Sequence, residues 1–303
     1  VTRSAAIDQL ARQPNGSYVG VWGKYLLHSA FQPIFAFGDS QMEIAAFEGL
    51  IRPFENGNPV SPGEFFGSVG AADRFAVETL TRNLHILNSS SCQIGTAKLF
   101  LNFDPSVFVD SAISDAALRD MKLSLSHSSV GASQIVCELT EHKSGSEAAF
   151  FSFVRALKLN GFSIALDDYG ADESDYGRVK ALEPDIIKFD GGWISRLMET
   201  QAGAGLLKAM VSTFKDMGIQ TLFEGLEEIW QLDLAHKCGV DLVQGFVLAV
   251  PKIVGDSTSI DETPHVSAEP VVDQNVDGDA AEQPPSAIVP HRTVRTFGKR
   301  GAT

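Results

Sequence analysis

Asn160-Gly161-Phe162-Ser163-Ile164-Ala165-Leu166-Asp167-Asp168-Tyr169-Gly170 holds a helix stop, a strand and a pair of acids in one short stretch. Gly161 can take the left-handed conformation that closes a helix without steric cost. Ile164-Ala165-Leu166 is a continuous apolar run, as expected of a parallel strand covered on both faces. The acids fall at its C-terminal tip. The same grammar recurs along the chain. Met217-Gly218-Ile219 precedes Thr221-Leu222-Phe223, which ends at Glu224, and Cys238-Gly239-Val240 precedes Leu242-Val243, which ends at Gln244. Leu99-Phe100-Leu101 ends at Asn102, Ile135-Val136-Cys137 at Glu138, and Ile186-Ile187 at Lys188. From Asn102 onward the polar tips follow one another at intervals of 20 to 36 residues, about one βα unit each. A polar group at the tip of strand after strand predicts an α/β, TIM-like (β/α)8 barrel with one active site on its C-terminal face.

Working outward, Gln32-Pro33-Ile34-Phe35 and Glu43-Ile44-Ala45-Ala46-Phe47 flank a Gly38-Asp39-Ser40 turn and predict an antiparallel hairpin. Residues 1–20 read as an N-terminal extension, with a short helix ending near Pro14-Asn15-Gly16. Apolar spacing predicts a helical stretch from Pro62 to Leu87. Asp104-Pro105 reads as a capped helix start, and Ser144-Gly145-Ser146-Glu147 as a capping box. The barrel is expected over residues 21–252. Residues 253–303 are acidic up to Glu282 and basic at Arg292, Arg295, Lys299 and Arg300, with no regular period, and read as a disordered tail.

The chain has 303 residues, of which 44% are hydrophobic, and a formal charge of −14. That charge argues against DNA as a partner. No apolar run is long enough for a membrane span, and no secretory signal is visible, so a cytoplasmic location is expected. Cys92, Cys137 and Cys238 are far apart and lack metal-ligand spacing, which fits free thiols in a reducing compartment.

The tips Glu48, Asn102, Glu138, Asp167, Asp168, Lys188, Glu224 and Gln244 form a hard, oxygen-rich set suited to Mg²⁺ or Mn²⁺. Clustered carboxylates repel unless cations lie between them. Two adjacent ions would activate water and stabilise a leaving oxygen. Lys188 would hold the attacking water or offset developing negative charge. Each residue also has a plainer reading. An acid at a strand end is commonly a cap, Asp167-Asp168-Tyr169-Gly170 could be a turn, and Lys188 could be solvated. The recurrence at one end of successive strands favours the collective reading.

Gln32-Pro33-Ile34, Glu48-Gly49-Leu50-Ile51-Arg52, Glu138-Leu139-Thr140-Glu141, Asp167-Asp168-Tyr169-Gly170, Lys188-Phe189-Asp190, Glu224-Gly225-Leu226-Glu227 and Gln244-Gly245-Phe246 together resemble the signature of EAL domains over residues 25–251. Members of that family are phosphodiesterases that open cyclic di-GMP, a bacterial second messenger, to linear pGpG. The resemblance implies a barrel with an antiparallel first strand. It implies Glu48, Asn102, Glu138 and Asp167 as ligands of one Mg²⁺ or Mn²⁺, with Asp168 serving a second. Lys188 would contact the catalytic water, and Glu224 would either orient that water or act as general base. Gln32, Leu50, Arg52, Asp190 and Gln244 would bind substrate, with Arg52 facing a phosphate. Glu141 would steady the loop after the paired aspartates. A homodimer is implied as well.

Two departures stand out. Gly49 replaces the signature's central alanine, a small-for-small change expected to leave the ligands undisturbed. The loop Ala171-Asp172-Glu173-Ser174-Asp175-Tyr176-Gly177 carries three added acids, expected to loosen metal binding or to alter how dimerisation sets activity. The alternatives to an active enzyme are a cyclic di-GMP receptor without turnover and a protein-interaction module. No partner domain is visible in the sequence, so a separate regulatory protein is one expected route of control.

Overall fold

The computed structural model describes residues 9–39, 41–92, 94–140, 144, 146–170 and 176–255. Glu141, residues 171–175 of the acidic loop and residues 256–303 of the expected tail lie outside the described residues.

In chain order the elements begin with β1 (Leu10–Arg12), β2 (Tyr18–Trp22), β3 (Tyr25–Phe37), β4 (Met42–Glu55), β5 (Asn58–Pro59), α1 (Pro62–Ser68), α2 (Arg74–Asn88), β6 (Lys98–Phe103) and α3 (Ser111–Ser126). There follow β7 (Ile135–Leu139), α4 (Glu147–Leu159), β8 (Ser163–Tyr169), α5 (Tyr176–Leu182), β9 (Ile186–Phe189), α6 (Gly191–Met198) and α7 (Gln201–Asp216). The last are β10 (Gln220–Phe223), α8 (Ile229–Cys238), β11 (Leu242–Val243) and β12 (Lys252–Ile253). Strands β4, β6, β7, β8, β9, β10 and β11 are joined in parallel. Strand β3 pairs antiparallel with β11 on one side and β4 on the other, which closes an eight-stranded barrel. The antiparallel first strand expected from the sequence is β3, and the hairpin turn lies where Gly38 predicts it.

Every barrel strand contributes one side chain to a sealed interior layer: Ile34, Ala46, Phe100, Val136, Ala165, Ile186, Leu222 and Leu242. All eight are at most 7% exposed. Alternate residues of the same strands, such as Leu99, Leu101, Ile135, Cys137, Ile164, Ile187, Phe223 and Val243, pack outward in a second core with the surrounding helices. Both faces are thus apolar at the base of each strand, which is why the runs read as continuous. Acids at the strand starts stitch the lower rim. Asp185 Oδ2 accepts from Ile164 N at 2.7 Å. Asp241 Oδ2 accepts from Thr221 N at 2.8 Å and from Thr221 Oγ1 at 2.9 Å.

Several local expectations are corrected. Residues 1–8 of the expected N-terminal helix lie outside the described residues, and residues 10–22 form the hairpin β1–β2 rather than its end. Pro14-Asn15-Gly16 supplies its turn, with Gln13 N bonded to Ser17 O at 2.7 Å and Gly16 at φ +90°. The stretch from Pro62 to Leu87 is two helices, because a turn closed by Asp73 N and Gly70 O at 2.9 Å interrupts it. Asp104-Pro105 opens a single 3-10 turn, and α3 starts later with Asp110 as its cap. Ser146 rather than Ser144 caps α4, accepting from Ala149 N at 3.3 Å. The chain stays in the sheet past residue 252: β12 pairs with Phe31 and Ala30, and Val254 N donates to Ser29 O at 2.9 Å. The three helix stops hold, with Gly161, Gly218 and Gly239 at φ +85°, +76° and +77°. No helix among the described residues is long and apolar enough to cross a membrane.

Helix α2 is buried from Val77 to Asn88, and it carries charge into the interior. Arg82 Nη1 donates to Glu78 Oε2 at 3.3 Å, and its guanidinium lies 4.4 Å from the Phe103 ring centroid. Burial pushes the Glu78 carboxyl up to about 7, against the pull of Arg82. A carboxyl raised on folding contributes stability that is complete below its unfolded value and is lost as pH climbs through the folded one. Glu78→Gln is therefore expected to flatten the fall in stability between about pH 5 and about pH 8, read as urea midpoints of the two proteins across that range.

Candidate active site

Two residues beyond the sealed layer, on the same face of each strand, stand Gln32, Glu48, Asn102, Glu138, Asp167, Lys188, Glu224 and Gln244. Period-two alternation makes this a polar ring directly above an apolar floor. The count runs backward only in β3, as its antiparallel direction requires. All eight were singled out from sequence, and the barrel brings them to one end.

Lys188 is the hub. The residue is 1% exposed, and its ammonium bonds directly to Glu138. It lies 3.0 Å from Asp167 Oδ1, 3.0 Å from Glu224 Oε2 and 3.9 Å from Glu48 Oε1. Burial works against that charge, but Asp167, Glu138, Glu224 and Glu48 together hold its pKa well above the ordinary lysine value. The solvated lysine of the plainer reading is thereby excluded. Burial, reinforced by repulsion from Asp167, pushes Glu138 up. Burial also raises Glu224, to about 7, against the attraction of Lys188. For Asp167 the penalty of burial is outweighed by Lys188 and by hydrogen bonds, and its carboxyl sits below the usual range.

Adjacent residues of a strand point to opposite faces, so Asp167 and Asp168 should diverge. They do not. The β8–β9 register slips between Leu166 and Tyr169, so that two aspartates stand opposite Lys188 alone, and Asp168 adopts φ +53°. This bulge defeats the alternation. Carboxylate oxygens of Asp167, Asp168 and Glu224 all lie within 4.8 Å of one another.

The donor set fits divalent cations. Four carboxylates surround one ammonium with Asp168 beside them, and Glu138 Oε2 is buried with no hydrogen-bond partner among the described residues. Oxygen donors of this kind suit Mg²⁺ or Mn²⁺. The tightest trio is Asp167–Asp168–Glu224, while Glu48 and Glu138 join through Lys188. Asn102 pairs with Glu138 in the β6–β7 register.

Two cavities flank the ring. One of about 240 Å³ is lined by Gln32, Glu48, Glu224, Gln244 and Phe246, the last 62% exposed. Gln244 Nε2 donates to Glu48 Oε2 at 2.8 Å, and Gln32 Nε2 donates to Ala249 O at 3.1 Å. Gly245 has no alternative here, since a Cβ would stand 2.0 Å from Leu226 O. The other cavity, about 320 Å³, is lined by Leu50, Arg52, Phe66, Glu78, Arg82 and Asn102, among others. Burial lowers the Arg52 pKa, and the charge of Glu48 opposes that. Asp190 caps α6 through Trp193 N at 2.6 Å, which commits one of its oxygens. The sequence reading missed Glu78, Arg82 and His85. Their i, i+4, i+7 spacing on a buried helix was the available signal.

Comparison with known proteins matches residues 25–251 to the EAL domain family. The chain is 25% identical over 214 residues to the probable cyclic di-GMP phosphodiesterase PdeA of Escherichia coli, covering 69% of this chain and 29% of PdeA. It is 27% identical over 242 residues to the cyclic di-GMP phosphodiesterase PdeB of Shewanella oneidensis, covering 73% and 26%. The chain thus spans less than a third of these relatives' length. Among solved structures, a standalone EAL protein of Vibrio cholerae bound to c-di-GMP superposes with a TM-score of 0.64 at 26% identity, covering 74% of this chain and 92% of that one. Klebsiella pneumoniae BlrP1, in a manganese and cyclic di-GMP complex, shares the fold with a TM-score of 0.66 at 24% identity, covering 82% and 59%. With its motifs gathered at one barrel mouth and the family match running the length of the barrel, this chain belongs to the EAL domain family.

Proposed function

We propose that this barrel hydrolyses cyclic di-GMP to linear 5′-pGpG with the help of two divalent cations, Mg²⁺ or Mn²⁺. The observation that carries the reading is the ring itself: eight strands each deliver a polar side chain one step above a sealed floor, around a buried ammonium. Glu48, Asn102, Glu138 and Asp167 would hold one cation, and Asp168 would serve the other. When bound, the ions supply Lewis acidity toward the phosphodiester and make water more acidic.

The chain's own residues supply the rest. Lys188, fixed by four carboxylates, holds a positive charge where negative charge develops on the phosphoryl oxygens. Glu224, whose Oε2 lies 3.0 Å from Lys188 Nζ, is placed to orient the attacking water or to take its proton. That water's oxygen bonds to phosphorus as the bond to the ribose 3′ oxygen breaks, and the departing oxygen takes up a proton. Arg52 draws in a phosphate. The two cavities on either side of the ring suit the two bases of the dinucleotide. Gln32, Leu50, Asp190 and Gln244 complete the binding surface. The same reading carries a homodimer acting in the cytoplasm.

Incubation with cyclic di-GMP and Mg²⁺ or Mn²⁺, followed by chromatography, is expected to yield pGpG. Binding without product from folded protein would make the chain a receptor, and absence of binding an interaction module. Glu48→Ala is expected to cut turnover by at least about 100-fold, the upper end of what loss of a ligand's supporting partner costs. Lys188→Met leaves buried carboxylates uncompensated. In the absence of metal it should destabilise the fold by roughly 3–5 kcal/mol. Added Mn²⁺ should raise its melting temperature more than that of the unaltered protein.

A further inference from the structure

The glycine that replaces alanine at the centre of the Glu48-Gly49-Leu50 signature is not a neutral change. A Cβ at position 49 would lie 2.9 Å from His85 Cγ and 3.2 Å from His85 Cβ and Cδ2. These atoms are near the root of the imidazole rather than at a flexible end, so the two side chains compete for one volume. His85 takes it. It reaches down from α2 onto the bare backbone of β4, and its ring meets Phe31 edge-on at 6.1 Å. Phe31 pairs with Gly49 across the β3–β4 ladder. The imidazole therefore packs across the outer face of the two paired strands at the residue adjacent to Glu48.

The ring is tethered. His85 Nδ1 lies 2.9 Å from Ser29 Oγ, and Asn88 Nδ2 donates to the same hydroxyl at 3.1 Å. Asn88 in turn accepts from Tyr18 N at 2.7 Å and donates to Tyr18 O at 2.9 Å, which fastens strand β2 to the network. His85, Ser29 and Asn88 are 4%, 1% and 0% exposed. Burial, together with the nearby Arg52, pushes His85 down to about 3, so the ring is neutral and acts through packing and hydrogen bonding. The ring also borders the cavity of about 320 Å³, and the resemblance to the family assigns it no role.

We infer that His85 is a positioning residue for Glu48, filling the place of a side chain at position 49 and pinning an otherwise permissive glycine backbone against α2, β3 and β2. Glycine alone leaves the strand free to shift. A ligand displaced by a fraction of an ångström loses much of its hold on a cation. The inference rests on the reading of Glu48 as a metal ligand.

The test is calorimetric titration of the full chain with Mn²⁺ alone, beside thermal melting, for the unaltered protein and for His85→Ala, Gly49→Ala and the double variant. His85→Ala is expected to weaken Mn²⁺ binding about tenfold, as supporting partners of metal ligands do. Gly49→Ala should weaken it comparably by driving the imidazole off its seat. In the double variant the new methyl enters the vacated space, and affinity should return to within about threefold of the original, a strong non-additivity. Ser29→Ala, which keeps the ring and removes its tether, should show a smaller loss in the same direction; with the double variant it carries the test if His85→Ala does not fold. Unchanged Mn²⁺ affinity in His85→Ala, or additive losses in the double variant, would overturn the inference. Unaltered protein that takes up Mn²⁺ but releases no pGpG would remove the hydrolytic reading alone. Unaltered protein that takes up no Mn²⁺ would overturn both.

Discussion

Lys188 Nζ stands among Glu48, Glu138, Asp167 and Glu224 at the mouth of a barrel whose floor is hydrocarbon. Like charges in so dry a place repel at short range with little water to screen them. Removing the ammonium would leave the acids to be neutralised by protons or to spread the strands apart. One ammonium does not fully compensate four carboxylates, and Glu138 Oε2 is left buried with no hydrogen-bond partner among the described residues. The site is therefore held together and still short of positive charge. That residual deficit is what suits it to divalent cations, and the rest of the fold can be understood as the scaffold that keeps the deficit in place.

The scaffold works by register. In each strand the inward residue at the base is apolar and the next inward residue is polar, while the outward residues feed the helix-packed core. This is why so much was legible from sequence. An apolar run ending in one polar residue encodes the floor, the ring and the outer core together, and Gly161, Gly218 and Gly239 punctuate the repeats. What was not legible depended on partners distant in the chain. The β1–β2 hairpin forms because β3 offers it an edge, and nothing within residues 10–22 announces that edge. The break between α1 and α2 follows a local turn inside an apolar pattern that continues on both sides. The convergence of Asp167 and Asp168 needs a bulge, which two consecutive acids cannot reveal by themselves.

Helix α2 shows the same limit from another side. Its apolar spacing was correct, yet its most informative residues are the charged and polar ones it buries. Glu78 and Arg82 satisfy each other against Phe103, and His85 and Asn88 tie the helix to β3 and β2. Gly49 looked like a harmless variation because a sequence displays a residue's own size and hides the volume claimed by its neighbour. In the fold, the missing methyl group and the imidazole are two halves of one packing solution.

The sealed layer beneath the ring has a further consequence for traffic. With eight apolar side chains plugging the barrel, nothing passes through from below. Whatever binds at the carboxylates must arrive and depart on the ring's side of the barrel. Such a blind-ended cup gives any occupant one side from which to leave, so clearance of the mouth governs how soon the seat is free again.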